Sequence, residues 1–370
     1  MSGFSAADAD LSNLPPLRIL TRAKNKLVGF YGPPTVTPAP SASTGIPDLS
    51  VKPLPALSAS VTLRLPLKVS PDGQVAALTL AEGEKLQLLA LDSGKVRCEL
   101  DCTEPQVVWF SPRGGYVCTW SRPIKGSEDA APPNNLCVWL TTSGALVGSF
   151  FQKKWMKDVL QWTADESICA RLVTNEVQLM NGDLSASVGK QPTVLAKVFH
   201  NGLTSFSLSP AGTSVAVFNP EVKGKPAFVA AYAITQTQSN SLEGLSVSPK
   251  TVAHRTVFAA SEVKISWNSP GTSFLAQTHS DVDRSGSSYY GSSSLFLVGV
   301  AAAAVGAAKE AQPPSLQVQP TKEGPIYDAQ WSPTDDSFIV AAGAMPAHCT
   351  AYDGNGQPSY EFGAAHRNTV

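Results

Sequence analysis

The chain has 370 residues, 43% of them apolar and only 15% charged, with 28 Lys and Arg against 29 Asp and Glu for a net charge of −1. That balance excludes a global electrostatic attraction to nucleic acid or membrane, so any RNA contact must come from a local patch. The charged share is below the usual quarter or so, which suits strands buried on both faces, and the length exceeds what one ordinary core serves.

Residues 1–16 lack the apolar core of a secretory leader and carry Asp8 and Asp10. Residues 17–31 alternate like strands and stop at Gly32-Pro33-Pro34. Arg18, Arg22, Lys24 and Lys26 on this first predicted hairpin read as the solvated charges of edge strands. Residues 1–32 are therefore assigned to the N-terminal strands of a first repeat unit. Residues 33–60, rich in Pro, Ser and Ala, read as a loop or linker, and residues 61–370 as regular repeat material.

From there one phrase recurs: an apolar stretch, Ser-Pro or an equivalent turn, Gly or a small polar residue, then a second apolar run. Its copies are Val69-Ser70-Pro71-Asp72-Gly73, Trp109-Phe110-Ser111-Pro112-Arg113-Gly114, Trp162-Thr163-Ala164-Asp165-Glu166, Leu208-Ser209-Pro210-Ala211-Gly212, Trp267-Asn268-Ser269-Pro270-Gly271 and Trp331-Ser332-Pro333-Thr334-Asp335. Proline pre-sets the turn and Gly absorbs a positive φ. Aligned on the residue after the Ser-type position, the copies fall at 71, 112, 164, 210, 269 and 333. A spacing of roughly 40–50 residues built from short strands is the mark of β-propeller blades. Strand-and-hairpin segments recur between the copies: Leu86 to Leu91 before Asp92-Ser93-Gly94-Lys95, Leu136 to Leu140 before Thr141-Thr142-Ser143-Gly144, and Cys349 to Tyr352 before Asp353-Gly354. The expected fold is all-β, a WD40-like β-propeller with about seven blades present. Trp162, Trp267 and Trp331 are expected to be buried between adjacent blades.

Ser121 to Asn135, Gln236 to Lys250 and Gly299 to Ser315 interrupt the rhythm and read as surface-loop insertions. The chain stops about where another blade's strand should begin, so it reads as a fragment. The sheet holding Tyr327 to Phe362 is then expected to expose an apolar face.

No active site, cofactor site or metal site is legible, and the chain reads as a non-enzyme. His200, His254, His279, His348 and His366 show no ligand spacing with the cysteines, and Cys98-x-x-x-Cys102 lacks a second pair. No phosphate-binding Gly-rich loop is present. Asp281-Val282-Asp283-Arg284-Ser285-Gly286 opens like a calcium loop, but its twelfth position is Ser292 where a bidentate Glu is needed. A polar-tipped β-turn is the better reading. The six scattered cysteines read as reduced thiols of a cytosolic protein. Leu295 to Ala308 is too short to cross a bilayer.

Two places are candidate contacts for RNA or protein. Lys153-Lys154-Trp155-Met156-Lys157 joins two strand patterns. Its commoner reading is a solvated loop with one aromatic packed beneath it; its functional reading pairs phosphate neutralisation by Lys with stacking by Trp. The second place is Arg284 with Tyr289 and Tyr290. Those tyrosines either present an exposed contact or pack against the next blade.

Several segments resemble eukaryotic translation initiation factor 2A. They are Gly32-Pro33-Pro34, Phe150 to Lys154, Gln161-Trp162, Cys169-Ala170-Arg171, Asn175-Glu176-Val177, Ser280 to Gly291, Gly324-Pro325-Ile326-Tyr327-Asp328 with Trp331, Met345-Pro346-Ala347, Phe362-Gly363 and Arg367-Asn368. The resemblance implies a nine-bladed propeller that binds the small ribosomal subunit. It implies a cytoplasmic factor that delivers initiator methionyl-tRNA independently of GTP on alternative initiation routes. It also implies a charged C-terminal tail contacting tRNA and mRNA, which this sequence lacks together with the last blades. The rival readings are the propeller subunit of initiation factor 3, a generic WD-repeat interaction scaffold, and an enzyme built around a propeller channel. The last has no set of carboxylates, histidines or ligands to support it.

Overall fold

A computed structural model describes residues 17–23, 26–32, 36–37, 48–49, 52–53, 63–80, 85–102, 104–124, 131–222, 224–238, 241–258, 260–280, 292–300 and 315–363. The described residues form antiparallel β-structure, with one 3-10 turn at Ser185–Ser187. Two compact units divide the chain: Met1–Trp155 with Ser187–Gln191, and Met156–Ala186 with Pro192–Val370.

The first unit opens with the hairpin Leu17–Ala23 and Lys26–Gly32, joined by Lys52–Pro53 into a three-stranded sheet. Two four-stranded sheets follow, each ordered as its strands occur in the chain. The first is Leu63–Val69, Val75–Leu80, Leu86–Ala90 and Val96–Leu100; the second is Val107–Phe110, Tyr116–Trp120, Leu136–Leu140 and Leu146–Phe150.

The second unit has four more sheets of the same plan. The third is Leu160–Trp162, Ile168–Val173, Glu176–Asn181 and Val194–Phe199; the fourth is Ser205–Leu208, Ser214–Asn219, Ala227–Gln238 and Ser241–Val257. The fifth is Glu262–Trp267, Ser273–Ser280, Ser292–Gly299 and Ser315–Val318; the sixth is Ile326–Trp331, Phe338–Ala342, His348–Tyr352 and Pro358–Gly363. Six four-stranded sheets and one of three strands thus stand where about seven blades are expected.

The repeated phrase is the turn between the first and second strand of each sheet. Its Ser, Thr or Asn is buried and accepts the amide five residues on: Val75 to Ser70 at 2.9 Å, Tyr116 to Ser111 at 2.9 Å, Ile168 to Thr163 at 3.1 Å, Ser214 to Ser209 at 3.0 Å and Ser273 to Asn268 at 3.0 Å. These side chains satisfy an amide at a strand start that no ladder reaches. The residue three on takes a positive φ in the same five copies, from +62° at Glu166 to +77° at Gly114. In the sixth copy Asp335 supplies the side-chain acceptor instead, taking the Ser337 amide at 2.8 Å.

Alternation along the strands gives each sheet two apolar faces, and neighbouring sheets share a core within each unit. Ala170, Leu172 and Leu179 meet Val215, Val217 and Ala230 between the third and fourth sheets. Ala216, Phe218 and Val229 meet Phe274, Ala276 and Phe296 between the fourth and fifth. Leu275, Leu295 and Leu297 meet Ala329, Phe338 and Tyr352 between the fifth and sixth. The residue seven beyond the turn Ser is buried in five sheets (Ala77, Cys118, Ala170, Ala216 and Leu275), but its sixth equivalent, Ile339, is 45% exposed. Ile339 is in register with Ala351 and Ala351 with Tyr360, so Tyr360 and Phe362 share that exposed face.

The predicted tryptophans divide. Trp162 is buried, whereas Trp267 and Trp331 are half-buried, each pressed on a phenylalanine of its own sheet, Phe274 and Phe338. Their indole N–H groups donate to the first strand of the preceding sheet, Trp267 to Ser207 O at 3.2 Å and Trp331 to Ser266 O at 2.9 Å. A ring reaching for that carbonyl leaves its far edge in solvent, which is why burial is partial.

One insertion is not a loop. Gln236 to Lys250 lies largely within an extended hairpin, with Ile234 opposite Val247 and Gln236 opposite Leu245. Its polar composition disguises a strand pair whose apolar residues, Ile234, Leu245 and Val247, pack into the core between the third and fourth sheets. Leu295 to Gly299, the start of the longest apolar stretch, is the buried third strand of the fifth sheet. No helix among the described residues is long and apolar enough to cross a membrane.

Candidate nucleic-acid interface

The lysine loop leaves the last strand of the second sheet at Phe150. Asn135 holds its first residue: the Gln152 amide donates to Asn135 Oδ1 at 2.7 Å, and Asn135 Nδ2 donates to Gln152 O at 3.0 Å and Ser121 O at 2.7 Å. Trp120 Nε1 also donates to Gln152 O, at 3.2 Å, and Gln152 Nε2 donates to Lys154 O at 3.0 Å. These bonds tie both ends of the Gln152 to Lys154 segment. Lys153 and Lys154 are exposed, and neither forms an ion pair among the described residues.

Trp155 is half-buried against two rings, with centroids 5.3 Å from Trp109 and 5.6 Å from Trp120. The aromatic of the motif is therefore packed under the loop, as the commoner reading has it, and keeps part of its surface open. Lys157 is exposed and belongs to the second unit. Arg284, Tyr289 and Tyr290, like the calcium-like turn Asp281 to Gly286, lie outside the described residues. Among the described residues no group of three His, Cys, Asp or Glu side chains could hold a metal ion. None of the six cysteines forms a disulfide, and burial pushes the Cys102 and Cys137 thiols up to about 11.

Sequence reasoning missed Trp109, Trp120 and Asn135 as parts of this place. The two tryptophans stand far from Trp155 in the chain and meet it only through the sheet. Asn135 sits at the end of a stretch read as an insertion, and its two-sided amide pairing leaves no local signature.

Successive four-stranded sheets with shared apolar faces are the blades of a β-propeller, here offering a basic, aromatic-backed loop. A crystal structure of a eukaryotic initiation factor matches 96% of this chain and 75% of its own at 27% identity, with a TM-score of 0.67. Residues 255–370 match the family model for eukaryotic translation initiation factor eIF2A. The Schizosaccharomyces pombe eukaryotic translation initiation factor 2A is 34% identical over 302 residues, which is 81% of this chain and 47% of that protein. The chain belongs to the eukaryotic translation initiation factor 2A family, and it spans about half the length of the curated relatives it matches. A subunit of translation initiation factor 3 from Aspergillus oryzae is 28% identical over a shorter 203 residues, 45% of this chain and 25% of that protein. That distribution favours the 2A assignment over its rival.

Proposed function

We propose that the chain acts in translation initiation as a non-enzymatic, cytoplasmic scaffold that binds the small ribosomal subunit. In the whole protein it would help deliver initiator methionyl-tRNA independently of GTP on alternative initiation routes, with initiator tRNA and mRNA as further partners. Membership of the factor 2A family carries this reading. The anchored loop supports an RNA contact at Lys153 and Lys154, because exposed ammonium groups without ion-pair partners on a held backbone neutralise phosphate at little ordering cost; Lys157 is proposed beside them on sequence grounds. Arg284, Tyr289 and Tyr290 are proposed as a second contact on sequence grounds.

The test is sedimentation of the purified chain with isolated small subunits across a salt series, for the wild type and for K153E/K154E/K157E. The variant should bind markedly more weakly, and its salt slope should fall by about 0.7–0.9 for each phosphate no longer neutralised. Its thermal stability should be unchanged, since exposed charges contribute little to folding. A wild-type chain that stays in the supernatant at low salt refutes attachment to the small subunit. A triple variant with wild-type affinity and slope removes the loop from the interface.

A further inference from the structure

Five of the seven tryptophans use their indole N–H inside the protein. Trp120 donates to Gln152 O, Trp139 to Thr119 Oγ1, Trp162 to Gly182 O, Trp267 to Ser207 O and Trp331 to Ser266 O. Among the described residues, Trp109 and Trp155 make no such bond. These two are in contact with each other, both half-buried, beside the exposed Lys153 and Lys154. Trp109 is also anomalous within the repeat. It stands two residues before the turn Ser, where the other five sheets carry Lys68, Gln161, Ser207, Ser266 and Gln330. A strand position that is polar in five copies needs no ring for packing.

We infer that Trp109, Trp155, Lys153 and Lys154 form a site for an unpaired nucleotide of single-stranded RNA. A base stacks on the open indole surface, the two indole N–H groups donate to base or phosphate oxygens, and the lysines meet the flanking phosphates. All four residues belong to the first unit. Each element answers a different part of such a ligand: a π-face for the base, neutral donors for acceptor atoms, and ammonium groups for charge. A duplex keeps its bases stacked inside and so withholds the π-face that the indole would stack on. This inference rests on the proposed role in translation initiation but goes beyond it in naming the ligand as unpaired RNA.

The experiment measures fluorescence anisotropy of a labelled 12-nucleotide single-stranded RNA, and of the same sequence annealed to its complement, titrated with the full chain. Trp109→Gln installs a residue the repeat already carries at this position, so the fold should tolerate it. Trp155→Phe keeps a ring against Trp120 and removes the N–H. Trp139→Phe makes the same chemical change at a buried site and serves as the control. The wild type should prefer the single strand. Trp109→Gln should lose about tenfold in single-strand affinity, near the low end of a base–aromatic stack, with an unchanged salt slope. Trp155→Phe should lose less, and Trp139→Phe nothing. Thermal melting of each variant separates loss of the site from loss of fold, and if Trp155→Phe melts early, Trp109→Gln alone decides.

Equal affinity for single strand and duplex, or full single-strand affinity in a folded Trp109→Gln chain, overturns the inference. Sedimentation with small subunits, run in parallel, separates it from its parent. Retained co-sedimentation with no dependence on Trp109 sinks the nucleotide site and leaves the translation role standing. A wild type that ignores small subunits sinks the parent reading, while the oligonucleotide arm still decides the site.

Discussion

Alanine at Gly73 and at Gly212 separates two roles of the same turn position. Both glycines hold φ near +70°, so each alanine incurs the left-handed cost of about 1 kcal/mol. A Cβ at Gly73 meets nothing within 4 Å, whereas one at Gly212 lands 2.9 Å from Thr163 Cγ2 and 3.2 Å from Ile168 Cδ1 in the neighbouring turn. Thr163 cannot swing away, because its hydroxyl accepts the Ile168 amide and donates to Asp165 at 2.6 Å. Crowding adds about 1–3 kcal/mol, so Gly212→Ala should cost about 2–4 kcal/mol in all. Glu166 occupies the same turn position at φ +62°. Glu166→Gly should stabilise by about 0.5–1 kcal/mol once the looser unfolded chain is counted against the relieved strain. Equilibrium urea unfolding reads all three as shifts in midpoint at constant slope. Equal midpoints for Gly73→Ala and Gly212→Ala would refute the crowding argument, and a lowered midpoint for Glu166→Gly would refute the strain argument.

Asn268 is fully buried, accepts the Thr272 and Ser273 amides and donates to Thr272 Oγ1 and Asp336. Asn268→Ala should cost about 2–4 kcal/mol and Asn268→Ser clearly less, both read by urea midpoint; equal losses would show that the amide's extra bonds contribute nothing. At Asp165 burial pushes the carboxyl up, but hydrogen bonds from Thr163 and Ser167 outweigh it, and at Asp335 the Ser337 hydroxyl and amide act unopposed in the main, so both carboxyls are held below the usual range. A lowered folded pKa adds stability above the unfolded value of about 3.9 and loses it as pH falls through the folded value. The urea midpoint should therefore drop below about pH 4, and less steeply in the Asp165→Asn/Asp335→Asn chain; parallel profiles would contradict this. Cys102 and Cys137, with thiols near 11, should resist iodoacetamide at neutral pH until urea is added. Rapid native labelling of either, seen by mass spectrometry, would show that the thiols are more open than their burial implies.

The repeat was legible because a turn is a local event. Ser-Pro-x-Gly encodes a side-chain acceptor, a preset φ and a left-handed residue within four positions, and no distant contact is needed to read them. The fold class, the strand pairs after each turn and the position of the lysine loop follow from that short-range grammar and from alternation. The hairpin over Gln236 to Lys250 was not legible, because a strand pair of mostly polar composition looks like a loop until its partner is known. The same limit governs the candidate site. Lysine next to tryptophan names a chemistry, but whether the ring is spent on packing depends on Trp109 and Trp120, which approach it only through strand pairing. Indole hydrogen bonding is likewise a tertiary property: among the described residues, five of seven identical donors find internal acceptors and two do not, according to which acceptor lies opposite each ring. The repeat and its turns are written in the residues themselves, since the energies that form them act between near neighbours. Which aromatic surfaces stay available is settled only by packing, since that depends on groups brought together across the sheets.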